Sequence, residues 1–237
     1  MANGSGIGGN RILGRARAAA YGAVAWIVGV VQFVIAMGVT QAGYGPPAYS
    51  LTGNYISDLG AAHCGYWHGG GSFPGFYVCS PWHVVFNVSI IGMGILLAAG
   101  TVLVYSAFRP GVARVVWFVL FLVAAAGSIG VGLFPEDVNI TAHGLSAVAA
   151  FAGSGLALVL LGAGIYRDRR WDGLAIYTIA SGLLGLIALV LFLEQIYGPL
   201  GVGGMERLIV APVLLWAIVA SVRILRMPAR LRGGLGA

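Results

Sequence analysis

Six long apolar runs, each bounded by Arg, Gly, Pro or a polar cluster, leave this chain one class of fold. They cover residues 18–40, 83–107, 115–134, 144–166, 173–194 and 207–225. A helix needs ~20 apolar residues to cross the hydrocarbon core of a bilayer, and every run is close to that length. A charged fraction of 8% and a mean hydropathy of +0.92 exclude an ordinary soluble domain, in which about 25% of residues are charged. They exclude disorder equally, which requires few apolar residues and many charges. The expected architecture is all-α, a polytopic membrane bundle of six transmembrane helices over residues 18–225. A basic N-terminus, 1–17, and a basic tail, 226–237, flank it.

The charges orient the bundle. The 13 basic residues are all Arg, and the net charge of +6 would suit a nucleic-acid binder if they shared one soluble face. They fall instead in small groups between the apolar runs: Arg11, Arg15 and Arg17; Arg109 and Arg114; Arg167, Arg169 and Arg170; Arg223, Arg226, Arg230 and Arg232. Only Arg207 falls on the other side. The positive-inside rule then puts both termini in the cytoplasm of a bacterial plasma membrane. The first run is longer than the ~7–15 residue apolar region of a secretory signal, so it is expected to be retained. Absence of Lys beside 39 Gly fits a GC-rich genome.

The outer side holds one long loop, 41–82, and short turns around Pro135 and Pro199. A loop of that length in a compact protein is functional or disordered, and its Tyr and Trp residues argue for a packed lid. Both cysteines, Cys64 and Cys79, lie in it. An extracytoplasmic compartment is oxidising, so a disulfide is expected, folding Trp67 and His68 over the helix ends. Free thiols are the alternative; no CxxC spacing supports a metal pair. Asn87-Val-Ser and Asn139-Ile-Thr match the glycosylation sequon, but Asn87 falls within a span and three-residue matches are common.

A weak internal repeat relates spans two and three to spans four and five. His83 answers His143, Gly92-Met-Gly94 answers Gly153-Ser-Gly155, and Leu133-Phe-Pro-Glu136 answers Leu191-Phe-Leu-Glu194. Parallel repeats in membrane proteins place polar sites where the repeats meet; glycines at such spacings also serve close helix packing.

Polar residues gather toward the outer leaflet: Asn54, Ser57, Asp58, His63, His68, His83, Asn87, Glu136, Asp137, His143, Glu194, Glu206 and Arg207. Ionisable groups near membrane depth mark functional sites by default, whereas a solvated rim is the plainer reading. The candidate pocket comprises Ser57, Asp58, Asn87, Asp137, His143, Glu194, Glu206 and Arg207. Arg207 opens the sixth span at its positive dipole end, where a cation is disfavoured. Glu194 ends the fifth span at a negative dipole end, so an Arg207–Glu194 pair is expected, with Asp58 as the alternative partner. It would act as a clamp between helices or as a forked donor for a phosphate or carboxylate.

His83 and His143 with Asp58 and Asp137 form a possible zinc set with a coordinated water; without it, His143 is a capped polar helix start. Haem between His83 and His143 is a further possibility, although no cofactor is the leading expectation. Pro212 predicts a kink in the sixth span. No Walker A loop, GxSxG or strand-borne GxGxxG occurs, so nucleotides and nucleic acid are not expected partners.

Several motifs in order carry a resemblance: Asn54-Tyr-Ile-Ser-Asp-Leu-Gly60, Phe86-Asn87, Gly132-Leu-Phe-Pro-Glu-Asp137 followed by His143, and Gly204-Met-Glu-Arg207 before Trp216. Together they resemble the domain-of-unknown-function family 998, small multi-pass membrane proteins of bacteria and archaea. More distant is a similarity to eukaryotic multi-span proteins with a Ser-Asp-Leu-Gly outer loop. The resemblance implies a topology and no reaction. The leading expectation is a membrane protein that binds a lipid headgroup or small solute, or serves as a partner subunit of another membrane protein. The alternatives are a metal-assisted hydrolase or transferase acting on lipid, and a haem or quinone protein.

Overall fold

The computed structural model describes residues 4–67 and 76–233; His68 of the expected cap lies outside them. Six helices are long and apolar enough to cross a membrane. They are α1 (Gly4–Ala42), α2 (His83–Val104), α3 (Val112–Leu133), α4 (Ile140–Ile165), α5 (Leu174–Leu193) and α6 (Gly201–Arg226), followed by a short α7 (Ala229–Arg232). Each packs on the next, and α1 closes the ring against α6 and α7. Lipid-facing positions stay apolar, as at Val24, Val28, Ile176 and Ile187, all exposed. Small residues bring the helices together, as expected where lipid provides no hydrophobic drive for association. A Cβ on Gly155 of α4 would press on Leu186 at 2.7 Å, and one on Gly182 of α5 would meet the Gly155 carbonyl at 2.6 Å.

The centre is aromatic. Trp26, Phe121 and Trp216 form a triangle with ring centroids 5.4–5.8 Å apart. Buried indoles need partners, and Trp26 Nε1 donates to the Leu97 carbonyl at 3.1 Å while Trp216 Nε1 donates to Thr178 Oγ1 at 2.8 Å. Pro212 lies inside α6 as expected.

Two departures from the sequence reading matter. Within the long loop, β1 (Gly65–Trp67) and β2 (Phe76–Val78) pair antiparallel with Tyr66 opposite Tyr77. The Cys64–Cys79 disulfide joins the two residues flanking this hairpin. The sixth helix also begins at Gly201 rather than near 207, so Glu206 and Arg207 lie more than a turn inside it. The helix-dipole argument for their charges loses its force, since that field acts within the first turn. The bundle thus has a hairpin end, with loop 43–82 and turns 134–139 and 194–200, and an arginine end bearing both chain ends.

Candidate functional site

The hairpin end is organised by one short segment. Ser57–Gly60 forms a buried 3-10 turn lying across the starts of α2 and α6 and the α3–α4 turn. Its backbone is pinned largely by carboxylates from elsewhere. Glu206 accepts from the amide of Ile56, and also from that of Ser57. Asp137 accepts from the amides of Ala62 at 2.9 Å and His63 at 2.8 Å, and from the His63 ring at 2.9 Å. Asp58 folds back to accept from Asn54 Nδ2 at 2.8 Å and the Tyr55 amide at 3.0 Å. From α2, Asn87 Nδ2 donates to the Gly60 carbonyl at 2.9 Å. Buried amides are rarely left unpaired, and these acids and amides satisfy a loop that cannot form a long helix.

Arg207 serves the same loop. Its Nη1 donates to the carbonyls of Leu51 at 3.0 Å, Asn54 at 3.2 Å and Gly203 at 2.7 Å, and its Nη2 to the Tyr49 hydroxyl. Gly203 lets the loop lie this close, because a Cβ there would run into the Asn54 carbonyl. The expected Arg207–Glu194 clamp is not formed: Glu194 is exposed and Arg207 makes no ion pair with it or with Asp58. Backbone carbonyls, which the sequence does not advertise, satisfy the guanidinium instead.

Glu136 belongs to the outer-leaflet polar residues but not to the candidate pocket expected from the sequence. It is 6% exposed, and Asp58 is fully buried. The two carboxyls face each other, and Asp58 Oδ1 and Glu136 Oε1 are both buried without an N–H or O–H partner. Two carboxyls can share a hydrogen bond only through a proton. Burial and the facing Asp58 carboxyl push the Glu136 carboxyl well up; burial raises Asp58 as well, offset in part by Glu136 and by the bonds from Asn54 and Tyr55. These shifts favour a proton held on the pair, with Glu136 the more strongly raised of the two. Only its place beside Asp137, 78 residues from Asp58, hinted at this pairing.

Below this network lies a narrow cavity of about 80 Å³ between α1, α2, α3, α4 and α6. Its walls are Phe, Leu, Ile, Val, Met and Ala side chains, and its polar lining residues include Ser57, Glu206 and His143. His143 Nδ1 lies 2.8 Å from the Phe134 carbonyl. That acceptor fixes the proton on Nδ1 and leaves Nε2 an acceptor. Asn139 caps α4 by accepting from the Ala142 amide at 3.0 Å, which accounts for the Asn139-Ile-Thr match.

The possible zinc set is not assembled. His83 Nδ1 bonds to the Ser80 carbonyl at 3.0 Å, His143 is tied to Phe134, and Asp58 and Asp137 serve separate stretches of loop. Among the described residues no group of three or more His, Cys, Asp or Glu could hold a metal ion. His83 also does not line the cavity that His143 lines, so the two do not face a common haem space. Of the eight expected pocket residues, Ser57, His143 and Glu206 reach the cavity; Asp58, Asn87, Asp137 and Arg207 build its roof, and Glu194 takes no part.

These features define an all-helical, multi-pass membrane protein with a polar roof over an apolar intramembrane cavity. The chain belongs to the family described as Protein of unknown function (DUF998), whose profile matches residues 27–223. No curated protein and no solved structure matches it.

Proposed function

We propose that the protein binds an amphiphile within the membrane, its apolar chain in the cavity and its polar head against Ser57, Glu206 and His143. The hairpin end would then face the cell exterior of a plasma membrane, with the arginine end in the cytoplasm. The observation that carries this reading is the chemistry of the cavity: an apolar lining with the Ser57 hydroxyl, the Glu206 carboxyl and the His143 imidazole at its polar end. Ligand sites are mostly apolar, with a few placed polar groups that fix orientation. The His143 acceptor and the Ser57 hydroxyl suit a head that offers a hydrogen-bond donor, such as an alcohol-headed or glycerol-headed lipid.

The test is mass spectrometry of lipid retained by detergent-purified protein, wild type beside Ala150→Phe, which fills the cavity from α4, and Ser57→Ala, which removes a head contact. Retention of a defined amphiphile by the wild type, lost in Ala150→Phe and weakened in Ser57→Ala, is the expected result. A wild type that retains nothing beyond bulk lipid, or an Ala150→Phe protein that retains the same species, refutes the reading.

A further inference from the structure

At the opposite end of the bundle, a second cleft carries an inference independent of the cavity. It has a volume of about 570 Å³ and is lined by Arg109, Arg167, Arg169, Arg170, Arg223 and Arg226 around one acid, Asp168, with Met227, Pro228 and Leu231 as its apolar edge. The positive-inside pattern accounts for arginines beside each span. It does not account for the convergence of three separate groups, from the α2–α3 turn, the α4–α5 turn and the end of α6, on one recess.

The floor of this recess is rigid. Asp168 is buried and accepts from Arg170 Nη2 at 2.6 Å and Nε at 3.0 Å, while Arg109 Nε approaches it at 3.2 Å from the rim. Arg170 Nη1 reaches the Leu231 carbonyl at 3.1 Å. Arg223 donates twice to the Arg170 carbonyl, at 3.0 and 2.7 Å. This web ties the α4–α5 turn to α6 and the α7 segment, and it uses up the single negative charge. The remaining charge is unspent: among the described residues Arg167, Arg169 and Arg226 have no hydrogen-bond or ion-pair partner, and all three are exposed into or beside the cleft. Planar guanidinium forks recognise phosphate oxygens bidentately, and basic pockets between membrane helices take the head groups of anionic lipids.

We propose that this cleft binds a phosphate-bearing anion, with Arg167, Arg169 and Arg226 as the recognising cations and the Asp168–Arg170 pair as the fixed floor. A phospholipid head group and a free phosphate ester share this chemistry; the apolar edge of Met227, Pro228 and Leu231 offers a surface along which an acyl chain can lie.

The experiment compares binding to the detergent-solubilised full chain of phosphatidylglycerol, phosphatidylcholine and glycerol 3-phosphate, by native mass spectrometry and by thermal shift. Phosphatidylglycerol is expected to bind and raise the melting temperature, and phosphatidylcholine to do neither. The triple variant Arg167→Gln, Arg169→Gln, Arg226→Gln is expected to bind phosphatidylglycerol about 100-fold more weakly, each arginine contributing about fivefold. A control triple variant, Arg11→Gln, Arg15→Gln, Arg17→Gln, removes the same charge from α1 and is expected to bind as the wild type does. A response to glycerol 3-phosphate equal to that for the lipid supports the site and assigns it to a soluble phosphate. Equal losses in the two triple variants, or no binding of either phosphate compound, overturns the proposal. Circular dichroism of each variant, matching the wild type, certifies that a loss is not unfolding.

Discussion

The two ends of the bundle bury charge in opposite ways. At the arginine end Asp168 is neutralised by a guanidinium: burial alone would raise its carboxyl, but the bonds and charge of Arg170, with Arg109, hold it below the usual range. At the hairpin end Asp58 and Glu136 meet each other, and the neutralising agent is a proton. The arginine end is consequently indifferent to pH near neutrality and sensitive to loss of a partner. The hairpin end tolerates loss of an acid and responds to pH. One end is built to attract anions; the other can hold a neutral hydrogen-bonding roof over an apolar space.

The largest effect that can break this contrast is a matched pair of substitutions. Asp168→Asn leaves Arg170, 8% exposed, without its counter-ion, and breaking such a buried pair costs about 3 kcal/mol or more. Glu136→Gln replaces a protonated acid by an amide that can still donate to Asp58, so the change at mildly acidic pH is expected to stay within about 1 kcal/mol, the usual net worth of one hydrogen bond. Thermal or denaturant unfolding in detergent reads both. Similar losses in the two variants would erase the distinction between the ends.

The second effect is the pH dependence itself. A carboxyl whose folded pKa is raised binds more protons in the folded state than in the unfolded one, so stability falls as pH rises from the ordinary carboxyl range through the raised value. Asp137 and Asp168 are shifted the other way; their stabilisation is complete above about pH 4 and is lost only below it. Between pH 5 and 8 the Asp58–Glu136 pair therefore contributes a falling slope of at most about 1.4 kcal/mol per pH unit for one proton, beside whatever the buried Glu206 and His143 add. Glu136→Gln is expected to lose less stability between pH 5 and pH 8 than the wild type does. Equal losses in the two proteins would show that the pair holds no extra proton.

The legibility of these ends in the sequence was uneven for physical reasons. The six spans announce themselves because each must satisfy the bilayer along ~20 residues, and the cysteine pair because its loop has no other plausible partner. The hairpin was hidden: strands of three residues, Gly65–Trp67 and Phe76–Val78, are too short for alternation to show among Gly and aromatic residues. The start of α6 was misplaced because Gly201, Gly203 and Gly204 read as a breaker, whereas Gly201 and Gly203 are small to admit the 50–54 loop. The type and depth of Ser57, Asp58 and Glu206 were legible. What they touch was not, since Glu136 meets Asp58 across 78 residues of chain and Arg207 meets carbonyls, which carry no sequence signal.

The smallest expected effect concerns the repeat. Its packing half holds: a Cβ on Gly94 of α2 would strike the Ala125 carbonyl of α3 at 2.7 Å, as one on Gly155 of α4 would strike Leu186 of α5 at 2.7 Å. Its polar half does not, because Glu136 is covered by the Ser57–Gly60 turn while Glu194 is exposed at the α5 terminus. The loop between α1 and α2 lies over one hairpin tip and leaves the other open, touching it through rings such as Tyr55 against Phe192 at 5.9 Å. Glu194→Gln should therefore change stability by less than about 0.5 kcal/mol, as surface substitutions do. Arg207→Ala should cost about 1–3 kcal/mol by stranding the Leu51 and Asn54 carbonyls. A double-mutant cycle should give no coupling between them, whereas a coupling of about 1 kcal/mol would restore a Glu194–Arg207 contact and with it the equivalence of the two tips.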